Sequence, residues 1–317
     1  MSEKTKESNA EDRIDASAID ALLATKPRQK MGLKQAFSDL KRRTSVITTF
    51  LEKSFKNDYV PGSEDVIKVE SLTVHYDSFP ALIDVNVEIK KGMMTAIIGP
   101  NGAGKSSFVK AILNLTKKTS GVVSFFGQPF EQIQANIAYV EQTKEIDWEF
   151  PITVEEVVMM GCYARSGFFS TYSKEDKKAC ALLLEKFGLA DKRRSLIGEL
   201  SGGQRQRLFL SRAYMQNAEI YIFDEPMAFV DYTTSEMIID SMKELKKLGK
   251  TVICIHHDLD EVKKEFDEAV LLAHYLVDSG PVKKVLAKKN LVRAFRANDM
   301  ILSEVLELCK EMESGNT

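Results

Sequence analysis

Apolar positions along this chain change their spacing several times, and each change marks an element. Leu33, Phe37, Leu40, Thr44, Ile47 and Leu51 recur at alternating intervals of four and three, one stripe of an amphipathic helix. "DYVPGSED" then reads as a linker. From Val66 the pattern turns to strands in "VIKVESLTVHY", "ALIDVNVEIKKG" and "MMTAIIG", and later in "GVVSFFG" and "IAYVEQ". Helical spacing follows in "KSSFVKAILNL" and again between about 153 and 190. "IYIF" at 220–223 and "TVICIHH" read as buried strands, and "AVLLAHYLVDSG" as a short β-hairpin. Strands alternating with helices predict an α/β fold, mostly parallel at its core with an antiparallel addition. The expected organisation is an extension over 1–64, a main domain over 65–285 and a helical tail over 286–317.

Composition narrows the class. With 44% hydrophobic and 28% charged residues and a net charge of −2, the chain gives no global electrostatic reason to expect nucleic acid. No apolar run approaches the roughly 18 residues of a membrane span, and "MSEKTKESNAEDRIDAS" has no apolar core of a secretory signal. Cys162, Cys180, Cys254 and Cys309 lack C-x-x-C spacing and read as reduced thiols of a cytosolic protein. The four histidines form no metal-ligand cluster in sequence. Locally, Lys26, Arg28, Lys30, Lys34, Lys41, Arg42 and Arg43 face only Asp39. That basic helix either packs on its own domain or touches an anionic membrane face or a partner.

The first chemical signal is "GPNGAGKSS" at 99–107. Glycine costs roughly 0.5–1 kcal/mol against alanine in regular structure, so three in six residues need a reason. The spacing fits G-x-x-x-x-G-K-[ST], a strand-to-helix turn whose backbone N–H groups and helix dipole favour phosphate. Gly99, Pro100, Asn101, Gly102, Ala103, Gly104, Lys105, Ser106 and Ser107 are the nucleotide-binding candidates. Lys105 is expected on the β/γ-phosphates and Ser106 on a Mg²⁺ ion. "IYIFDEP" then delivers Asp224 and Glu225 at the end of a buried strand, where open α/β sheets bind ligands. Asp224 suits Mg²⁺, and Glu225 suits polarising the attacking water.

"ELSGGQRQRLFLSRAYMQ" at 199–216 opens a second helix with Ser201, Gly202, Gly203 and Gln204. Another phosphate-ready helix start is of little use to a chain with its own phosphate loop, unless it completes a second copy's site. LSGGQ lying between the two Walker motifs resembles the ATP-binding cassette (ABC) ATPases over about 66–285. The resemblance implies a P-loop NTPase core with an antiparallel β-subdomain and a helical subdomain. It implies Tyr76 as the aromatic platform for adenine, Gln142 as the glutamine linking Mg²⁺ and water to the transporter interface, Asp231 as the D-loop aspartate and His257 as the γ-phosphate switch. His256 is expected to be structural. Three departures stand out: Glu141 in place of the usual proline before Gln142, Phe229 where a small residue is common, and Ser107 for threonine.

Only 96 residues separate Lys105 from Ser201, too few for the long arms of DNA-repair cassettes, and one P-loop excludes the two-cassette translation factors. "VEQTKEIDWEFPITVEEVVMMGCYAR" is similar to the matching stretch of manganese, zinc and iron importers. Trp148 and Phe150 within it belong either to the helical core or to a groove for the permease. What this resemblance implies is a cytosolic ATPase on the inner face of the membrane. It would dimerise head to tail over two ATP and Mg²⁺ and act with a separate permease and, indirectly, a metal-binding solute-binding protein. The alternative is a non-transport cassette with a regulatory or nucleic-acid role.

Overall fold

A computed structural model describes residues 65–77, 79–141, 147–163, 171–228 and 230–296. The N-terminal extension with its basic stripe, Gln142, Phe229, Cys309 and the tail after 296 lie outside the described residues. The chain divides into two compact units, one formed by 59–147 with 218–317 and the other containing 148–217.

The larger unit holds nine strands among its described residues: β1 (Asp65–Tyr76), β2 (Phe79–Lys90), β3 (Met94–Ile98), β4 (Ser120–Phe125), β5 (Ile137–Val140), β6 (Ile220–Asp224), β7 (Thr251–Ile255), β8 (Glu268–Leu272) and β9 (Leu276–Pro281). Its main helices are α1 (Lys105–Ile112), α5 (Tyr232–Lys247) and α6 (Leu259–Glu265), and the smaller unit supplies α2 (Val154–Met160), α3 (Lys174–Lys186) and α4 (Gly202–Gln216). Strands β2-β1-β4 form an antiparallel sheet, and β5-β6-β7-β3-β8-β9 form a second sheet that is parallel up to the antiparallel edge strand β9. This is the expected parallel core with an antiparallel addition, and the hairpin read in "AVLLAHYLVDSG" is β8–β9.

Burial explains why the strands differ in sequence. Every residue of β3, β6, β7 and β8 is buried, the condition of strands covered on both faces, so they read as continuous apolar runs. β2 instead alternates buried and exposed positions through "VNVEIK". Ile67, Leu72, Leu82 and Ile89 of the antiparallel sheet, Phe108 and Ile112 of α1, and Ile97, Ile222, Ile253 and Val270 of the parallel sheet share one core cluster. Cys254 of β7 is fully buried, and desolvation pushes its thiol pKa well above the ordinary value.

In the smaller unit α2, α3 and α4 each begin on a reciprocal capping box: Thr153 with Glu156, Ser173 with Asp176, and Ser201 with Gln204. Its core takes Leu182, Leu183, Phe187, Leu208, Leu210 and Met215, and burial pushes the Cys180 thiol up to about 12. Cys162, Cys180 and Cys254 are all free thiols.

Helices α2 and α4 approach closely at Gly161, where an added Cβ would stand 2.5 Å from the Arg212 carbonyl oxygen and 2.8 Å from Met215 Cβ. The Gly161 backbone is helical, so only space demands glycine there. Gly161→Ala is expected to cost about 1–3 kcal/mol by overpacking. Urea unfolding should show the lowered midpoint; an unchanged midpoint would contradict this packing.

Candidate active site

Three adjacent strands of the parallel sheet, β6, β7 and β3, end at one edge, and each delivers chemistry from its carboxyl end. β3 runs into the glycine loop, β6 ends in Asp224 and Glu225, and β7 leads to His256 and His257. Ligands of open α/β sheets bind at such an edge.

The loop is shaped by its glycines. Gly99, Gly102 and Gly104 have φ of 151°, 81° and 87°. A Cβ on Gly99 would lie 2.2 Å from the Leu272 carbonyl oxygen, and one on Gly104 would lie 2.4 Å from that of Ala81. Around Gly102 there is open space. The loop is therefore pressed on two sides by backbone and open on the third. Gly104 is also the N-cap of α1 and offers no side-chain acceptor, which leaves first-turn N–H groups for an anion.

Two opposite charges are buried beside this loop. Lys105 is 7% exposed, and its ammonium donates to the carbonyls of Gly99 (3.0 Å) and Pro100 (2.9 Å). Desolvation lowers its pKa, with Glu225 and Asp224 pulling the other way. Asp224 is 2% exposed; it accepts from Ser106 Oγ and from the Tyr139 hydroxyl, each at 3.3 Å. Burial raises the Asp224 pKa, and neighbouring Glu225 raises it further. A desolvated carboxylate beside a hydroxyl fits a divalent cation, and a desolvated ammonium among free N–H groups fits phosphate. The residues present thus suit Mg²⁺ and a nucleotide.

Glu225 is half-buried and holds φ of 47°, a left-handed conformation, with its carbonyl accepting from Ala228 N–H at 3.0 Å. His256 is 3% exposed. Its Nδ1 accepts from Asp258 N–H at 3.0 Å, while Nε2 lies 2.9 Å from Glu261 Oε2 in a close but poorly aligned approach. Burial lowers its pKa, and Glu261 opposes that. A neutral imidazole accepting at Nδ1 carries its proton on Nε2. Asp258 caps α6 by accepting from the N–H groups of Asp260 and Glu261. His256 and Asp258 therefore fix the turn between them, and His257 is left exposed. The structural part expected of His256 is the one it takes.

The remaining candidates are placed as follows. Tyr76 ends β1, 45% exposed, directly opposite Phe79. Ser107 lies in the first turn of α1, and Asn101 is exposed at the loop tip. Asp231 caps α5, accepting from Thr234 N–H (3.0 Å) and Thr234 Oγ1 (2.9 Å). In the smaller unit Ser201 and Gly202 are exposed at the start of α4, whose first turn carries no acidic residue. Arg205, one turn on, stacks its guanidinium 4.0 Å over the Trp148 ring and donates to the Gly198 carbonyl at 3.2 Å. Phe209 meets the same ring edge-on at 5.9 Å. Of the two aromatic residues left open between core and groove, Trp148 packs on α4 and Phe150 is 58% exposed. Sequence reasoning missed Tyr139, Arg205 and His274; only the mid-strand position of Tyr139 in "IAYV" hinted at its neighbour in β6.

The raised Asp224 pKa has a stability consequence. Over the pH range above the ordinary carboxylate value of 3.8, the native protein binds this proton more tightly than the unfolded chain, so ionisation costs stability as pH rises. Asp224→Asn is expected to raise the nucleotide-free Tm by about 2–4 °C at pH 8. The gain should shrink as pH falls towards 3.8, and Mg²⁺-dependent ATP binding should weaken. Thermal scans from pH 4 to 8 with ATP titrations measure both, and a lower Tm at pH 8 would contradict the burial cost.

Comparison with known proteins agrees with this geometry. The family model described as ABC transporter matches residues 82–228. The manganese transport system ATP-binding protein MntB of Halalkalibacterium halodurans is 40% identical over 233 residues, covering 74% of this chain and 93% of that protein. The zinc transport system ATP-binding protein TroB of Treponema pallidum is 42% identical over 229 residues, covering 72% and 86%. A solved ADP-bound structure of MJ1267, an ATP-binding cassette of an ABC transporter, superposes with a TM-score of 0.62 at 28% identity, covering 74% of this chain and 99% of that one. The phosphate loop, the buried acid beyond it and these relatives agree: the chain belongs to the ABC transporter family, as an ATP-binding cassette ATPase.

Proposed function

We propose that this cassette powers the import of a metal ion, manganese, zinc or iron, through a separate membrane permease. The observation that carries the ATPase half of the reading is the buried Lys105 and Asp224 flanking an open glycine loop, with Glu225 next in the chain. The metal half is supported by the similarity to ATP-binding proteins of manganese and zinc transport systems. No described helix is long and apolar enough to cross a membrane, and in this reading the transport path belongs to the permease.

Each residue has a part. The loop from Gly99 to Ser107 and Lys105 hold the phosphates, and Tyr76 stacks on adenine. Ser106 and Asp224, with Gln142, would hold Mg²⁺, which supplies charge neutralisation on the phosphate oxygens when bound. Glu225 polarises the attacking water, and His257 contacts the γ-phosphate. Ser201 to Gln204 and Asp231 serve the partner copy's site in a head-to-tail dimer. Closure of that dimer drives the permease between its two states on the inner face of the membrane, while a solute-binding protein delivers the metal outside.

Glu225→Gln is expected to keep ATP affinity and lose about 10²-fold or more of turnover, because the binding groups remain and the base is gone. Phosphate release under saturating ATP measures it, and wild-type turnover removes Glu225 from the role. The cargo is tested with the cassette and its permease in vesicles, offered labelled manganese, zinc and iron. ATP-dependent uptake of one of them is expected. Robust ATP hydrolysis in the full complex, with none of the three moved, overturns the metal reading.

A further inference from the structure

His274 is fully buried in the turn between β8 and β9, with φ of 61° in the left-handed region. It makes bonds in two directions. Its N–H donates to the Ala103 carbonyl of the phosphate loop at 3.0 Å, and its own carbonyl accepts from Ile83 N–H of β2 at 2.7 Å. The ring adds a third bond, Nδ1 lying 3.2 Å from the Pro80 carbonyl oxygen. A carbonyl only accepts, so Nδ1 carries the proton and donates. The ring also meets Phe79 edge-on at 5.6 Å. Phe79 is the cross-strand partner of Tyr76, and directly paired residues project from the same face of a sheet.

These contacts form a short line from the phosphate loop to the aromatic turn: Ala103, His274, Phe79 with Pro80, Tyr76. The backbone bonds of His274 do not involve its side chain; what the imidazole alone contributes is the hold on Pro80 and Phe79. That contribution leaves Nε2 buried without a partner. A leucine would leave no orphaned nitrogen but would sit less readily at this left-handed φ, so the backbone gives one reason for a histidine here and packing gives none.

We propose that His274 is a positioning residue for base stacking: it holds the Tyr76 turn in register with the phosphate loop and so sets the preference for a nucleotide over bare triphosphate without touching the nucleotide. The inference rests on the reading of Tyr76 as the adenine platform, and the test separates the two.

Equilibrium binding of ATP, GTP and inorganic triphosphate is measured on the full chain and on His274→Leu, His274→Asn, Phe79→Leu, Tyr76→Ala and His274→Leu/Tyr76→Ala. His274→Leu should weaken ATP about threefold to tenfold, the range expected for losing one hydrogen bond. GTP, whose base stacks as well, should weaken alongside it and inorganic triphosphate should change little, so the nucleotide-to-triphosphate preference falls. His274→Asn keeps a donor and tolerates positive φ, and should restore the preference. Phe79→Leu breaks the line at its next link and should reproduce the loss; it decides the matter if His274→Leu does not fold. Tyr76→Ala should also lose the preference, and adding His274→Leu to it should cost no more. If Tyr76→Ala alters the preference while His274→Leu (or Phe79→Leu) leaves it intact, or if the double variant is additive, the positioning role is overturned and the platform stands. An unchanged preference in Tyr76→Ala overturns the platform and this inference with it.

Discussion

The site depends on burying two opposite charges beside one loop without joining them to each other. Lys105 spends its hydrogen bonds on loop carbonyls, and Asp224 accepts from two hydroxyls. Desolvation works against the charged form of both. Charges held this way have neutral hydrogen-bond partners, which leaves each attractive to an incoming group of opposite charge. A direct ion pair between them would be more stable and would leave less differential attraction for nucleotide. The fold bears the cost through the fully buried strands β3 and β6, which hold both groups rigidly at the sheet edge.

Most of the architecture was legible because it is written in local pattern. Buried parallel strands appear as unbroken runs such as "IYIF" and "TVICI", and the phosphate loop appears as glycines at fixed spacing before a lysine. One helix start was also visible, since Ser201 heads a helical run, whereas the caps formed by Asp231 and Asp258 emerged only with the structure. What sequence could not show are contacts between distant segments. Tyr139 reaches Asp224 across 85 positions, and His274 reaches Pro80 across 194. Neither lies in a motif, and in both cases the pairing exists only once the strands are ordered. Arg205 was in plain sight beside LSGGQ, but its stacking on Trp148 needs the chain to return over 57 residues.

Capping and chemistry share residues here. Ser201, Asp231 and Asp258 each satisfy N–H groups at a helix start and each stands in or beside a motif assigned to nucleotide handling. The coincidence has a physical root: an N-cap holds the first turn in one conformation, and an anion site at that turn needs the same rigidity. Ser201 shows it most directly, for its hydroxyl accepts from Gln204 N–H while Gln204 Oε1 accepts from Ser201 N–H at 2.9 Å. The remaining first-turn donors and the absence of acidic residues there keep the helix start attractive to phosphate.

Glu225 carries the same logic to the backbone. A left-handed conformation costs an ordinary residue about 1–2 kcal/mol, and glycine would relieve it. Glycine would also remove the carboxylate, and asparagine, which tolerates the conformation better, would not accept a proton. The strain has a geometric return: the chain turns sharply after Asp224, so two successive acids face different environments. Asp224 stays buried against Ser106 and Tyr139, while Glu225 is half-exposed. An extended strand would also send consecutive side chains apart, but one of them would point away along the opposite face of the sheet. The turn instead keeps both acids at the sheet edge, one buried and one half-exposed to water.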